Sequence, residues 1–203
     1  MSTSALICLE GIDGSGTSTQ ARRLGKRLEE SGVRWRVTHF PDYRTPIGKL
    51  IKGFLLHNIR LRARTIRLLY TANRWERASE VERALRKGVV VILDRYSSSN
   101  VAYGVADGLD KKWLEDIENG LPQPSLTILI DLPSREALKR KRRVKKLDRY
   151  EKNLGYIERV RQAYLHLAKE KRWKIVDGVK SREELEEEIW DYVSKRLSRR
   201  SIP

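Results

Sequence analysis

The stretch LICLEGIDGSGTSTQ, residues 6–20, decides the fold of this chain. It begins as an apolar strand, continues as a glycine-rich turn and ends at the start of a helix. Gly11, Gly14 and Gly16 permit a tight loop whose backbone N–H groups converge on a polyphosphate. The helix that begins near Thr17 adds further N–H donors and the positive end of its dipole. The stretch therefore predicts a phosphate-binding loop at the end of a buried strand.

The spacing of this loop fits the P-loop pattern at all but one position. Gly11-x4-Gly16-x-Ser18 matches the pattern and places the Ser18 hydroxyl where it can hold a magnesium ion. Thr17 stands where the pattern has lysine. A lysine charge about 4 Å from a phosphate, at an effective dielectric constant of about 20, is worth roughly 4 kcal/mol. If all of this energy acted in the transition state of a phosphoryl transfer, its loss would slow the reaction about a thousandfold. We predict that a polyphosphate binds this loop through Gly11, Ile12, Asp13, Gly14, Ser15, Gly16, Thr17, Ser18 and Thr19.

The length and the cysteine count limit the class of protein. A chain of 203 residues is long enough for one large domain, which we expect to span residues 1–203. The single cysteine, Cys8, excludes a disulfide framework and suits a reducing cytoplasm. No apolar run is long enough to cross a membrane, and the loop begins too close to Met1 for a removable leader. We therefore expect a cytoplasmic protein with no membrane partner.

The chain is strongly basic, with 43 Lys and Arg against 27 Asp and Glu and a net charge of +16. Such a balance suits nucleic acid, an anionic surface or small phosphorylated substrates. The basic residues are spread over most predicted helices as well as clustered in residues 139–146. Because this spread is typical of solvated helix faces, nucleic acid is not an expected partner.

Strands and helices alternate along the chain. The apolar run at residues 89–93 predicts a strand that is buried on both faces. Further strands are predicted at residues 33–40, 126–132 and 174–176, and helices follow each of them. One predicted helix has Ile66, Leu69, Ala72 and Trp75 on a single apolar stripe, and another begins with a capping box formed by Ser181 and Glu184. This alternation predicts a parallel sheet covered by helices on both faces.

Charged residues follow several of the predicted strands. In parallel sheets, ligands bind at the carboxyl ends of the strands, so Asp13, residues 40–44 and residues 94–96 are expected around one crevice. Asp94 ends the central strand, where P-loop proteins place an acid that orders magnesium. Arg95 beside it can hold a phosphate through two parallel hydrogen bonds.

The motifs LEGIDGSG-x-STQ, FPDYRTPIGKLI, LLYTANRWE, DRY, GLPQP and LDRYE occur in this order. Together they resemble the thymidylate kinases shared by archaea and eukaryotes, from about residue 6 to residue 178. The resemblance implies an adenylate-kinase-like P-loop NTPase fold with three α/β/α layers, a five-stranded parallel sheet in the order 2-3-1-4-5, and a lid. It also implies a homodimer that uses Mg²⁺ to transfer the γ-phosphoryl group of ATP to dTMP.

The resemblance implies a set of residues for the acceptor phosphate and the sugar. Asp13 matches an acid near the 3′-hydroxyl, and Arg95 matches the arginine that holds the acceptor phosphate. Eukaryotic members have an arginine directly after FP-acid, where this chain has Tyr43, and Arg44 comes one position later. The full dTMP-binding set that we predict is Asp13, Phe40, Arg44, Tyr70, Arg74, Arg95, Ser99 and Tyr103.

The base side of the acceptor site is also implied by the resemblance. Tyr70 lies where an aromatic ring stacks on thymine, and Arg74 matches an arginine that contacts the base or the phosphate. Helical spacing puts Tyr70 and Arg74 on the same helix face. Ser99 and Tyr103 lie where the family shapes the pocket around the deoxyribose and the methyl group.

The basic run at residues 139–146 lies where the family has its lid over ATP, at about residues 139–150. Members of the family supply a catalytic arginine from the P-loop or from the lid. The P-loop position is Gly14 here, so the lid is the expected source. The predicted catalytic residues are Asp13, Arg95, Arg142, Arg143 and Arg149, and the predicted magnesium ligands are Ser18 and Asp94.

Thr17 leaves two accounts of the reaction open. A nearby cation, such as Lys145, Lys146 or a lid arginine, replaces the missing lysine, or the protein binds nucleotide and transfers phosphate slowly. The favoured function is thymidylate kinase. The alternatives are a kinase for another nucleoside monophosphate such as dUMP, a regulatory nucleotide-binding protein, and a nucleic-acid binder that uses residues 139–146.

Overall fold

A computed structural model describes residues 4–142 and 153–198. In this part of the chain the strands form one parallel sheet in the order β2-β3-β1-β4-β5, which confirms the predicted order. Each predicted strand end lies within two residues of the observed one. The strands are β1 (Ala5–Glu10), β2 (Trp35–His39), β3 (Val90–Asp94), β4 (Leu126–Asp131) and β5 (Lys174–Asp177).

Helices follow each strand and cover the sheet. No described helix has both the length and the apolar character needed to span a bilayer. The helices are α1 (Thr17–Glu30), α2 (Pro46–Leu55), α3 (Ala63–Arg86), α4 (Ser97–Ala106), α5 (Lys111–Asp116), α6 (Ser134–Arg142), α7 (Leu154–Glu170) and α8 (Arg182–Ser198).

The core lies on both faces of the central strands, because alternate residues of β1 point to opposite sides. Ile7 and Leu9 pack with α1 and α8 on one face. Leu6 and Cys8 pack with Val81 and other residues of α3 on the second face. The helix, sheet and helix layers that the sequence predicts are therefore present, and the carboxyl ends of β1, β2 and β3 meet at one edge.

The predicted apolar stripe of α3 is wrong in part. Ile66 is buried, but the Trp75 side chain is 47% exposed. The buried positions of the same helix include the polar residues Arg67, Asn73 and Arg74. These three side chains make hydrogen bonds or ion pairs with other segments, so this part of the buried face is polar.

Two other helices show what local patterns do and do not reveal. The predicted capping box is confirmed: the Glu184 N–H donates to Ser181 Oγ over 3.2 Å, and the Ser181 N–H donates to Glu184 Oε2 over 2.9 Å. Helix α4, by contrast, has no predicted counterpart. Its buried positions mix Asn100 and Gly104 with apolar residues, so no apolar stripe marks it in the sequence.

Candidate active site

The glycine-rich loop links β1 to α1 in the predicted manner. Gly14 and Gly16 have φ angles of 87° and 102°, in the left-handed region that favours glycine. Gly16 caps α1 without a side-chain hydrogen bond, and the first turn of α1 contains no acid. A helix N-terminus of this kind favours an anion. The loop therefore has the backbone shape and the helix dipole that a phosphate requires.

Thr17, Ser18 and Asp94 meet beside this helix start. The Ser18 hydroxyl donates to Asp94 Oδ2, and His39 Nδ1 lies 2.7 Å from the same oxygen. Burial alone would raise the pKa of Asp94, but the hydrogen bonds from His39, Ser18 and also Thr17 outweigh burial and lower the pKa. Asp94 Oδ1 is buried and has no hydrogen-bond partner among the described residues. The carboxylate is thus ionised, with one oxygen still able to accept.

Asp13 connects the loop to the neighbouring pocket. Its carboxylate lies 3.0 Å from Arg95 Nη2, accepts from Tyr103 Oη over 3.0 Å, and lies 3.7 Å from Lys141 Nζ. Burial alone would raise the pKa of Asp13, but the charges of Arg95 and Lys141 outweigh burial and lower it. The site therefore holds an ionised acid between two cations.

Arg95 is held in an unusual backbone conformation. Its φ angle is 65°, in the left-handed region that non-glycine residues seldom adopt, and its N–H donates to the Leu9 carbonyl over 2.9 Å. Burial alone would lower the pKa of Arg95, but the charge of Asp13 outweighs burial and raises it. Strained residues concentrate at functional sites. The guanidinium is thus aimed into the pocket with its charge retained.

A pocket opens beside Arg95. It includes seven of the eight predicted dTMP-binding residues, so the structure brings those seven together. The pocket is lined by Asp13, Phe40, Pro41, Tyr43, Leu55, Arg67, Tyr70, Arg74, Arg95, Tyr96, Ser99, Asn100 and Tyr103.

Arg44 is the predicted residue that the structure does not bring to this pocket. Its side chain is 81% exposed and pairs with Asp42 at 2.8 Å. Tyr43 lines the pocket in its place. The contact between Arg44 and the acceptor phosphate is untested and stays a prediction.

Arg74 lines the pocket and pairs with Glu118. The exposed fractions of the two side chains are 2% and 6%. Glu118 accepts from Arg74 Nε over 2.8 Å, from Thr71 Oγ1 over 2.7 Å and from Asn100 Nδ2 over 2.7 Å. One carboxylate therefore joins α3, α4 and the segment after α5, and it fixes the direction in which Arg74 points.

Arg67 is a pocket residue that the sequence analysis missed. Its side chain is 2% exposed and lies 2.9 Å from Asp107. Its guanidinium carbon lies 5.3 Å from the Tyr70 ring centre and 5.9 Å from that of Tyr103. The available signal was its spacing of three residues from Tyr70, which puts both side chains on one helix face.

Glu10 is a second residue that the sequence analysis missed. It is fully buried at the end of β1, and burial raises its pKa. It accepts from the Tyr96 N–H over 3.0 Å, from Ser99 Oγ over 2.7 Å and from Tyr164 Oη over 3.1 Å. Glu10 thereby fixes Ser99 at the pocket wall. An acid that ends an otherwise apolar strand was the signal for it.

Several predicted lid residues cannot be placed. Arg143, Lys145, Lys146 and Arg149 lie outside the described residues. Arg142 ends helix α6. The roles predicted for these residues stay predictions.

Comparisons with known proteins point to one family. The chain matches the family model described as thymidylate kinase over residues 9–189. It is 36% identical over 188 residues to thymidylate kinase of Homo sapiens, covering 91% of this chain and 87% of that protein. It is 39% identical over 198 residues to the probable thymidylate kinase of Pyrococcus abyssi, covering 94% of this chain and 96% of that protein.

The fold is also similar to a solved structure. Thymidylate kinase from Candida albicans, described as having broad substrate specificity, superimposes with a TM-score of 0.85. The two chains are 33% identical, and the alignment covers 96% of this chain and 93% of that one.

Proposed function

This chain belongs to the thymidylate kinase family, and from that membership we propose which role each site residue has in the reaction. The protein is an enzyme that phosphorylates dTMP, with ATP as the phosphoryl donor. The bond between the γ-phosphorus of ATP and the β–γ bridging oxygen breaks, and a bond to a phosphate oxygen of dTMP forms. The observation that carries our assignment is the pair Asp13–Arg95, which lies between the glycine-rich loop and the pocket.

We assign the loop to the ATP phosphates and the pocket to dTMP. Arg95 holds the acceptor phosphate, and Asp13 fixes the direction of Arg95 and contacts the sugar. Tyr70 and Arg74 contact the base, and Ser99 and Tyr103 shape the pocket around the sugar. A phosphate acceptor is already ionised at neutral pH, so the site contributes position and charge, and no general base is required.

We propose Mg²⁺ as the metal, held by the Ser18 hydroxyl and Asp94. The fit is supported by the buried Asp94 Oδ1, which has no hydrogen-bond partner among the described residues. Oxygen donors suit this ion, which would need few protein ligands because it usually keeps several waters and also binds substrate phosphates. When bound, Mg²⁺ neutralises charge on the transferring phosphates.

The first experiment follows dTDP formation from dTMP, ATP and Mg²⁺ by the unaltered chain and by Thr17→Lys. We expect clear turnover by the unaltered chain and less than about a tenfold change in kcat for Thr17→Lys, because another cation acts at the loop. If Thr17→Lys forms dTDP rapidly and the unaltered chain forms none, the result would favour a regulatory nucleotide-binding protein. Turnover of dUMP in the same assay, compared with turnover of dTMP, measures how strongly the enzyme prefers dTMP. This comparison matters because the Candida albicans relative is described as having broad substrate specificity.

We propose that the enzyme is a homodimer joined through α2 and α3. The proposal rests on the family and on exposed apolar side chains at helical spacing on α3. Leu68 and Trp75 are 48% and 47% exposed, and Leu50 on α2 is 47% exposed. Unpaired apolar stripes of this kind mark contact surfaces.

The variant Trp75→Glu tests the proposed dimer. We expect this variant to be a monomer with a mass near 23.7 kDa. The reason is that a charge buried in an apolar contact carries an uncompensated desolvation cost. Light scattering after size-exclusion chromatography measures the mass. Val179→Glu, at a 54% exposed position outside α2 and α3, serves as the control. A Trp75→Glu variant with the mass of the unaltered chain would contradict the proposed surface.

Three further assignments remain our proposals. Residues 1–203 form one nucleoside-monophosphate-kinase domain with a lid at about residues 139–150. A cytoplasmic location is supported by Cys8, a buried free thiol of the kind kept in reducing compartments. Nucleic acid is not an expected partner.

A further inference from the structure

We propose that Lys141, on helix α6, supplies the positive charge that Thr17 leaves out of the glycine-rich loop. The proposal rests on the proposed function, because it assigns a catalytic residue to the same phosphoryl transfer. It identifies a lysine that approaches the loop from a different helix and that the loop pattern does not contain.

Helix α6 lies directly on the glycine-rich loop. A Cβ atom built on Gly14 would lie 2.8 Å from the Ala137 carbonyl oxygen and 3.3 Å from Lys141 Cγ. The hydrocarbon part of Lys141 therefore lies against the loop at Gly14. This contact is available because Gly14 has no side chain.

The ammonium group of Lys141 lies at the junction of the two nucleotide sites. Its Nζ is 3.7 Å from Asp13 Oδ1, and the Lys141 side chain is 26% exposed. Asp13 is also 3.0 Å from Arg95, which lines the dTMP pocket. Lys141 thus approaches this carboxylate from α6, beside the loop, while Arg95 approaches it from the pocket.

This position suits a charge that acts on the transferring group. A lysine side chain is a compact cation on a flexible four-carbon stem. Its Nζ can move from Asp13 to a phosphate oxygen when a triphosphate occupies the loop, while Asp13 keeps its contacts with Arg95 and Tyr103. Lys141 acts only through its charge, so it forms no covalent bond and transfers no proton.

The two basic residues that precede Lys141 on α6 point elsewhere. Arg140 Nη2 donates to the Gly178 carbonyl over 2.9 Å, near the end of β5. Lys139 lies 3.8 Å from Glu136 on its own helix and is 60% exposed. Of these three consecutive basic residues, Lys141 is the one that contacts Gly14 and Asp13.

The charge of Lys141 can be removed without shortening the side chain greatly, by Lys141→Met. We expect kcat for dTDP formation to fall about 100-fold or more, as when one preorganised donor is lost from a transition state, with KM for dTMP changed less than threefold. Lys141→Arg should keep kcat within about tenfold of the unaltered chain. Thr17→Lys in the Lys141→Met background should restore kcat at least tenfold, because both lysines serve the same phosphates.

Arg135→Met is the control, since it removes one charge from an exposed position on the same helix. We expect it to leave kcat unchanged. Circular dichroism checks that each variant melts like the unaltered chain.

Calorimetric titration with the non-hydrolysable ATP analogue AMP-PNP measures nucleotide affinity without turnover. This measurement therefore tests the role of Lys141 separately from the kinase assignment. Lys141→Met should weaken AMP-PNP at least tenfold and leave dTMP binding unchanged. Failure of the unaltered chain to produce dTDP would overturn the proposed function alone. Equal AMP-PNP affinities for Lys141→Met and Arg135→Met, or equal kcat values in an active enzyme, would overturn the role of Lys141.

Discussion

Arg95→Met should lower kcat/KM for dTMP about a thousandfold, because it removes a charge-assisted, two-pronged hold on the acceptor phosphate. The guanidinium lines the pocket and is fixed by Asp13 at 3.0 Å. Methionine keeps the bulk of the side chain but provides no donor. Steady-state kinetics with dTMP varied at saturating ATP measure the loss, and the KM for ATP should change less than threefold.

Arg44→Met is the matched comparison for Arg95→Met. Both arginines follow a strand, but Arg44 is 81% exposed and paired with Asp42. We expect Arg44→Met to change kcat/KM for dTMP less than fivefold. A large loss for Arg44→Met, with a small one for Arg95→Met, would reverse our assignment of the acceptor arginine.

Glu118→Ala should reduce the free energy of unfolding by about 3–5 kcal/mol, because it leaves the buried guanidinium of Arg74 without its partner. The change also removes the acceptor for Thr71 and Asn100. A loss of that size is a large fraction of the stability of most domains. Urea unfolding followed by circular dichroism, at one protein concentration throughout, measures it.

Asp116→Ala provides the control for Glu118→Ala. Asp116 pairs with Lys112 at 3.2 Å, but the two side chains are 51% and 82% exposed. Exposed pairs contribute at most about 1 kcal/mol, so this variant should unfold almost like the unaltered chain. A similar small effect of Glu118→Ala would show that water reaches Arg74 and replaces the carboxylate.

The sheet and the phosphate loop could be predicted because their signals are local. The apolar runs of β1 and β3 are continuous in the sequence, and the glycines at 11, 14 and 16 follow β1 directly. Asp94 and Arg95 could be predicted as site residues because they end a central strand, where parallel sheets bind ligands. These features do not depend on which distant segments pack together.

The features that could not be predicted depend on contacts between distant segments. Arg67 pairs with Asp107, which lies 40 residues away in the sequence, and Arg74 pairs with Glu118, which lies 44 residues away. These pairs put charge on the buried face of α3, so its apolar stripe is incomplete and Trp75 lies outside the core. The position of Arg44 also depends in part on such a contact, because its partner Asp42 accepts a hydrogen bond from Arg77 of α3, 35 residues away.

The contact between α6 and Gly14 limits which positions around the loop can carry a cation at the same time. A side chain at position 14 would meet the Ala137 carbonyl at 2.8 Å, so a cation could enter the loop there only if α6 moved away. Such a move would also withdraw Lys141. A cation at position 14 and Lys141 in its present position therefore exclude each other, whereas position 17 is not subject to this conflict because its side chain is already present.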